Sequence, residues 1–212
     1  MRIKVWDRPT RLFHWLLVVL IAAAWWTGEH EDLTWHYRIG MGVLMLILFR
    51  LIWGVIGGST ARFAGFVKGP RAIADYLRGA APPRVGHNPL GAISVLALIA
   101  LVATVVVLGL FATDHDGLQP GPLAHLVSYE GADAAHEYHE LGFNLLLALV
   151  AVHVAAVLYY WLFRRDDLIG PMVTGSRDGP EGAEPLRPAP AWRAVIAIVA
   201  ATLIAWWIWS GF

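Results

Sequence analysis

Histidines at matched depths on apolar segments are the residues whose types and spacing could do chemistry in this sequence. His139 and His153 stand fourteen residues apart in one strongly apolar run, Glu137 to Phe163. Fourteen residues of helix rise about 21 Å. At roughly 100° per residue the two imidazoles return to within about 40° of the same face. A single helix would thus present one nitrogen ligand near each side of a bilayer, both towards the same neighbours. His14 and His36 lie on two other apolar segments. Antiparallel packing would set His14 at the depth of His153, and His36 at the depth of His139. Two such bis-imidazole pairs are how a chain would hold two haems stacked across a membrane.

Each of these residues has a plainer account beside the chemical one. An ionisable side chain inside an apolar span is costly in lipid and is read first as functional. His153 lies in LLLALVAVHVAAVLYY, with apolar neighbours for a full turn each way. An iron atom and one backbone acceptor would satisfy both of its ring nitrogens; a core imidazole bonded to another helix is the competing reading. His87, in GHNPLG, is the alternative inner ligand, against a helix-terminal or propionate-facing residue. His30, His115, His125 and His136 fall in outer connections, where solvated loop residues compete with a metal site. His136 and His139 are spaced i,i+3, not the i,i+4 of a zinc metalloprotease helix, which sets a protease aside. Arg50 lies fourteen residues beyond His36, about 21 Å deeper. A haem propionate would supply its counter-charge there, and snorkelling to the interface competes. Arg38 is the corresponding candidate at the outer level. Gly40, Gly42, Gly91 and Gly142 cluster near His36, His87 and His139, where small residues admit either a flat macrocycle or a neighbouring helix.

The elements that must position these residues follow from composition. Of 212 residues, 58% are apolar and only 15% charged, which fits a multi-pass membrane protein and not a soluble domain. Net charge is zero and no basic tail or aromatic-interleaved patch exists, so nucleic acid is not an expected partner. The absence of cysteine excludes disulfides, thiolate-held iron–sulfur clusters, Cys-ligated zinc and covalent haem attachment. Five apolar segments can cross about 30 Å of hydrocarbon. They run over Leu12–Thr27, His36–Gly57, Leu90–Phe111, Glu137–Phe163 and Trp192–Trp209, the first beginning before Leu12 as an uncleaved span. Lys and Arg crowd the N-terminus (Arg2, Lys4, Arg8, Arg11), the second–third connection (Arg62, Lys68, Arg71, Arg78, Arg84) and the stretch after the fourth span. The connections Gly28–Trp35 and Ala112–His136 hold no Lys or Arg. This asymmetry predicts a cytoplasmic N-terminus and a periplasmic C-terminus. Pro70–Arg78 reads as a short helix on the inner surface, and Asp166–Ala191 as a flexible linker.

The stretches VWDRPTRLFHW, HYRIGMGVLMLILFRLIWGVIG, GHNPLG, GLFATDHDG, HELGFNLLLALVAVHVAAVL and LIGPMVTGSR cover about Val5–Arg177 in order. They resemble the bacterial cytochrome b561 and nickel–iron-hydrogenase b-type cytochrome family. The resemblance implies an all-α, antiparallel four-helix di-haem bundle in the bacterial inner membrane, here over residues 1–170. By position it implies His14 and His153 on the inner haem b, and His36 and His139 on the outer one. A cytoplasmic linker over 171–191 and a fifth transmembrane helix over 192–212 depart from the family pattern. The implied work is electron transfer between the quinone pool and a redox partner, with a periplasmic c-type cytochrome as the first expectation. The acidic stretch Asp114–Glu140 is a candidate landing patch for it, or a solvated loop. The second expectation is the cytochrome b anchor of a membrane-bound hydrogenase or dehydrogenase. A different class, a metal or proton transporter using intramembrane histidines, expects mid-membrane carboxylates and broken helices, and spans one to four offer almost no such carboxylate. The sequence leaves open whether the chain is itself an oxidoreductase and whether it forms a homo-oligomer.

Overall fold

Long aliphatic runs without interior proline satisfy their backbone polar groups internally only as helices, and lipid enforces that outcome. The computed structural model describes residues 1–80, 86–114, 119–179 and 185–211; Arg84, His115 and Asp116 lie outside them. In chain order the elements are β1 (Arg2–Lys4), α1 (Arg8–Glu29), α2 (Leu33–Ile56), α3 (Phe63–Phe66), α4 (Pro70–Leu77), α5 (Pro89–Phe111), α6 (Tyr129–Leu162), α7 (Ile169–Thr174), β2 (Ser176–Asp178) and α8 (Ala191–Trp209). Five of these, α1, α2, α5, α6 and α8, are long and apolar enough to cross a membrane. The protein is an all-α, multi-pass membrane protein with one small two-stranded ribbon. Large apolar side chains left exposed along the spans, among them Val19, Val55, Ile93, Val107, Val152 and Leu203, suit contact with lipid tails.

Short polar side chains set where the helices begin. Asp7 accepts the Thr10 N–H at 2.8 Å and opens α1. Asn88 accepts the Gly91 N–H at 2.7 Å and opens α5, with Pro89 in its first position. Asp32 and Ser128 do the same for α2 and α6. Because Ser128 is the cap, α6 starts eight residues before the expected Glu137. The residues Tyr129–His136, expected in a loop, form the first turns of a 34-residue helix. At about 51 Å that helix outruns the hydrocarbon core.

The chain divides into two compact units: Met1–Phe13 with Arg50–Ala97 and Ala151–Ala197, and His14–Phe49 with Leu98–Val150 and Ile198–Phe212. In the first unit, β1 and β2 pair antiparallel, Ile3 opposite Arg177. The N–H groups of Val5 and Trp6 donate to the carbonyl of Gly175, which holds the left-handed conformation (φ 87°) that ends α7. Leu186 N–H donates to Lys4 O at 2.9 Å. The stretch read as a flexible linker therefore carries a helix, a strand and a tethered segment; its partners are too far away in sequence for composition to reveal them. The expected surface helix is present as α4, where Tyr76 meets Tyr160 hydroxyl to hydroxyl at 2.6 Å. In the second unit, Leu44, Leu110, Leu123 and Ala205 form a buried cluster, flanked by Met41, Met45, Val106, Phe111 and Ile208. The fifth span is thus packed against α2 and α5 in this unit.

Candidate cofactor-binding site

The turn between α1 and α2 is three residues long. Glu31 takes a left-handed conformation (φ 56°) and Asp32 accepts the His36 N–H through its carbonyl at 2.9 Å. So short a return places His36, in the first turns of α2, beside the last turns of α1. There its Nδ1–H donates to Ala24 O at 2.9 Å, with the Thr27 hydroxyl 3.5 Å away. On the facing side, His139 of α6 donates Nδ1–H to Val105 O of α5 at 2.8 Å. A carbonyl oxygen can only accept, so both imidazoles carry a proton on Nδ1, which in the neutral tautomer leaves the Nε2 lone pair for a metal. Their ring centroids are 6.0 Å apart and their planes 80° from parallel.

This geometry fits an ion held between the two rings. A metal–imidazole nitrogen bond is about 2 Å, so trans imidazoles on one ion have centroids roughly 6 Å apart. Among the described residues no group of three or more His, Asp or Glu side chains could hold a metal. The protein offers two ligands here, and the remaining positions around an iron would fall to a macrocycle. A pair of neutral imidazoles oriented through backbone carbonyls is the donor set that haem iron takes, with the outer-shell hydrogen bond that fixes the ring.

The remaining expected site residues are distributed between the units. His14, in the second unit, lies edge-on to Trp15 at 4.9 Å. His153 is in the first, partly buried on α6. The first unit also contains Arg50, only 2% exposed, its guanidinium 4.6 Å above the Phe63 ring. Its charge is therefore enclosed by protein and does not stand in open solvent. Gly54, one turn on, makes room for Phe63, whose ring would lie 2.0 Å from any Cβ there. Asp7 is the acid whose charge acts on Arg50, and it also accepts the Trp53 indole N–H at 3.2 Å. Nη1 of Arg50 and Nδ1 of His87 are buried and have no hydrogen-bond partner among the described residues. His87 lies between Trp6 and Phe66, each 4.6 Å from it. Burial pushes its imidazole down to about 4, with Arg50 and His153 acting in the same direction, so it is neutral at ordinary pH. Arg38 is exposed on α2 and lies 5.2 Å over the Trp35 ring.

Sequence reasoning singled out Gly42 and Gly142, which the structure uses to seat Leu20 and Val105. It passed over Gly28, Gly109 and Asp7. Asp7 had a readable signal, an acidic residue one position before a helix. The glycines had none: Gly28 looks like a helix terminus, and Gly109 is one small residue in VVVLGLF.

Residues 5–175 match the family model described as prokaryotic cytochrome b561. Among similar curated proteins are the "Probable Ni/Fe-hydrogenase 1 B-type cytochrome subunit" of Escherichia coli K12, 25% identical, and the "Probable Ni/Fe-hydrogenase B-type cytochrome subunit" of Bradyrhizobium diazoefficiens, 22% identical. The match covers 82% of this chain in both cases, with 89% and 85% of those proteins. A protein of the same description from Cupriavidus necator is 25% identical, over 82% of this chain and 86% of its own length. No solved structure matches the chain.

Proposed function

We propose that this chain, which belongs to the prokaryotic cytochrome b561 family, serves as the membrane subunit through which a nickel–iron hydrogenase or related dehydrogenase exchanges electrons with the quinone pool. The protein is a membrane b-type cytochrome. The observation that carries the reading at residue level is the His36–His139 pair, two imidazoles with ring centroids 6.0 Å apart, each donating its Nδ1–H to a backbone carbonyl. The names of the relatives support a hydrogenase partner. They support this reading better than the first expectation from the sequence, a relay to a periplasmic c-type cytochrome.

Bound haem b supplies the one-electron redox centre that the side chains alone lack. Around it, His36 and His139 would hold the iron at the outer level, and His14 and His153 would hold a second at the inner level. Arg50 would offer a propionate carboxylate of the inner haem a guanidinium nitrogen that has no hydrogen-bond partner among the described residues. Arg38 stands where it could serve the outer one. The basic connections face the cytoplasm and the acidic ones the periplasm, which puts the start of α6 on the partner's side.

The test uses the full chain, purified with its genomic neighbours from the membrane. A pyridine haemochrome assay should give close to two b haems per chain. One haem would end the two-pair scheme, and a chain without haem would end the functional reading. An iron–sulfur hydrogenase or dehydrogenase subunit should co-purify; a c-type cytochrome in its place would restore the earlier expectation.

A further inference from the structure

Two histidines on different helices are held by the same backbone device. His36 donates to the carbonyl of Ala24, and Gly28 is four residues further along α1. His139 donates to the carbonyl of Val105, and Gly109 is four residues further along α5. In an α-helix the carbonyl of residue i already accepts the N–H of residue i+4. The Cβ of that same i+4 residue stands beside the oxygen and screens the side from which a second donor would come. A Cβ on Gly109 would stand 3.0 Å from both Cε1 and Nδ1 of His139. One on Gly28 would stand 3.3 Å from Nδ1 and 3.4 Å from Cε1 of His36. Neither glycine is needed for a turn, since both have helical backbone, and helix propensity alone disfavours glycine there.

We propose that Gly28 and Gly109 are matched positioning residues: each opens one helix carbonyl to a histidine Nδ1–H and so sets the plane of that imidazole. The two carbonyls together impose the near-perpendicular arrangement of the His36 and His139 rings. Ring orientation has an electronic consequence. Perpendicular axial imidazoles leave the d orbitals of a low-spin ferric ion nearly degenerate, which gives a strongly anisotropic paramagnetic resonance signal. Parallel imidazoles separate those orbitals and give a rhombic signal. Orientation and the Nδ1 hydrogen bond also tune the reduction potential. Glycine at these positions therefore trades helix propensity for a defined haem signal and potential. The inference rests on the reading of His36 and His139 as axial ligands of one haem.

The test is paramagnetic resonance and potentiometric titration of the full chain carrying Gly28→Ala, Gly109→Ala or Gly69→Ala. Gly69 is the control: an added Cβ there meets nothing within 4 Å, and it lies in the unit that contains neither His36 nor His139. The haem in question is the one lost in His36→Ala. Gly28→Ala, with the looser contact, should keep that haem but shift its signal towards the rhombic form and move its midpoint. Gly109→Ala should do so more strongly or release the haem. Gly69→Ala should match the wild type. A wild-type signal and midpoint in Gly28→Ala, or an equal change in Gly69→Ala, would overturn the proposal while leaving the functional reading intact. Wild-type protein without a low-spin b haem would overturn both.

Discussion

At the scale of single residues, Asp7 has three partners. It caps α1 through the Thr10 N–H, accepts the Trp53 indole, and bears the charge that acts on buried Arg50. Asp7→Ala would remove a cap worth about 1 kcal/mol and an acceptor of the buried Trp53 indole, worth about 1 kcal/mol more. A large drop in the thermal midpoint of the detergent-solubilised protein is expected. Asp7→Asn keeps one oxygen in reach of both donors, 2.8 Å from Thr10 N and 3.4 Å from Trp53 Nε1, and replaces the other by an amide, so it should lower the midpoint less. Equal losses would show that the charge next to Arg50 dominates. His36 and His139 act as a unit under the proposed ligation, so His36→Ala, His139→Ala and the double variant should each lose the same single haem. Haem content that falls in two steps would contradict that pairing.

At the scale of elements, α8 is the informative case. Its Ala197 and Ala201 are fully buried, Ala205 joins the cluster with Leu44, Leu110 and Leu123, and Arg193 donates to Ile56 O at 3.2 Å. None of the four proposed ligands lies on it. Truncation near Arg177 should therefore spare the ligand set but expose part of that buried cluster. Burial of apolar side chains contributes about 25 cal/mol per Å² in water; lipid can replace part of that contact, so the loss should appear as lower thermal stability with haem retained. The measurement is haem content and thermal midpoint of truncated against full-length protein. Loss of haem at unchanged folding would place α8 in the cofactor-binding core. A similar argument applies to α7 and β2, which close on β1 and the Val5–Trp6 backbone and tie the chain after α6 to its start.

At the scale of the whole molecule, charge asymmetry sets the expected topology. Lys and Arg avoid the connections between α1 and α2 and between α5 and α6, and concentrate in the others. With no native cysteine, single introduced thiols report on sidedness without background. In intact cells, a membrane-impermeant thiol reagent should modify Glu130→Cys at the start of α6 and leave Lys68→Cys untouched until the membrane is opened. The reverse pattern would invert the topology. The protruding first turns of α6 place Glu130, Asp133, Glu137 and Glu140 on one exposed side, opposite the buried face with Ala132, Ala135 and Gly142. From Tyr129 on, the acidic stretch expected as a loop is thus a helical edge.

The sequence by itself determined the class of protein and the five spans. These are local properties: an apolar run in lipid has to satisfy its own backbone. It also pointed to the family, through motifs such as GHNPLG and HELGF, and the family model matches residues 5–175. Only the tertiary structure decided which groups meet. The hydrogen bonds of His36 to Ala24 and of His139 to Val105, across 12 and 34 residues, depend on how helices rotate and dock. So do the 46-residue reach from Trp53 to Asp7 and the burial of Arg50 over Phe63. No periodicity records such contacts, since a carbonyl becomes a histidine's partner only where packing brings the ring close and the flanking residue has no Cβ in the way. That is why Gly28 and Gly109 were invisible in the sequence and explicit in the fold.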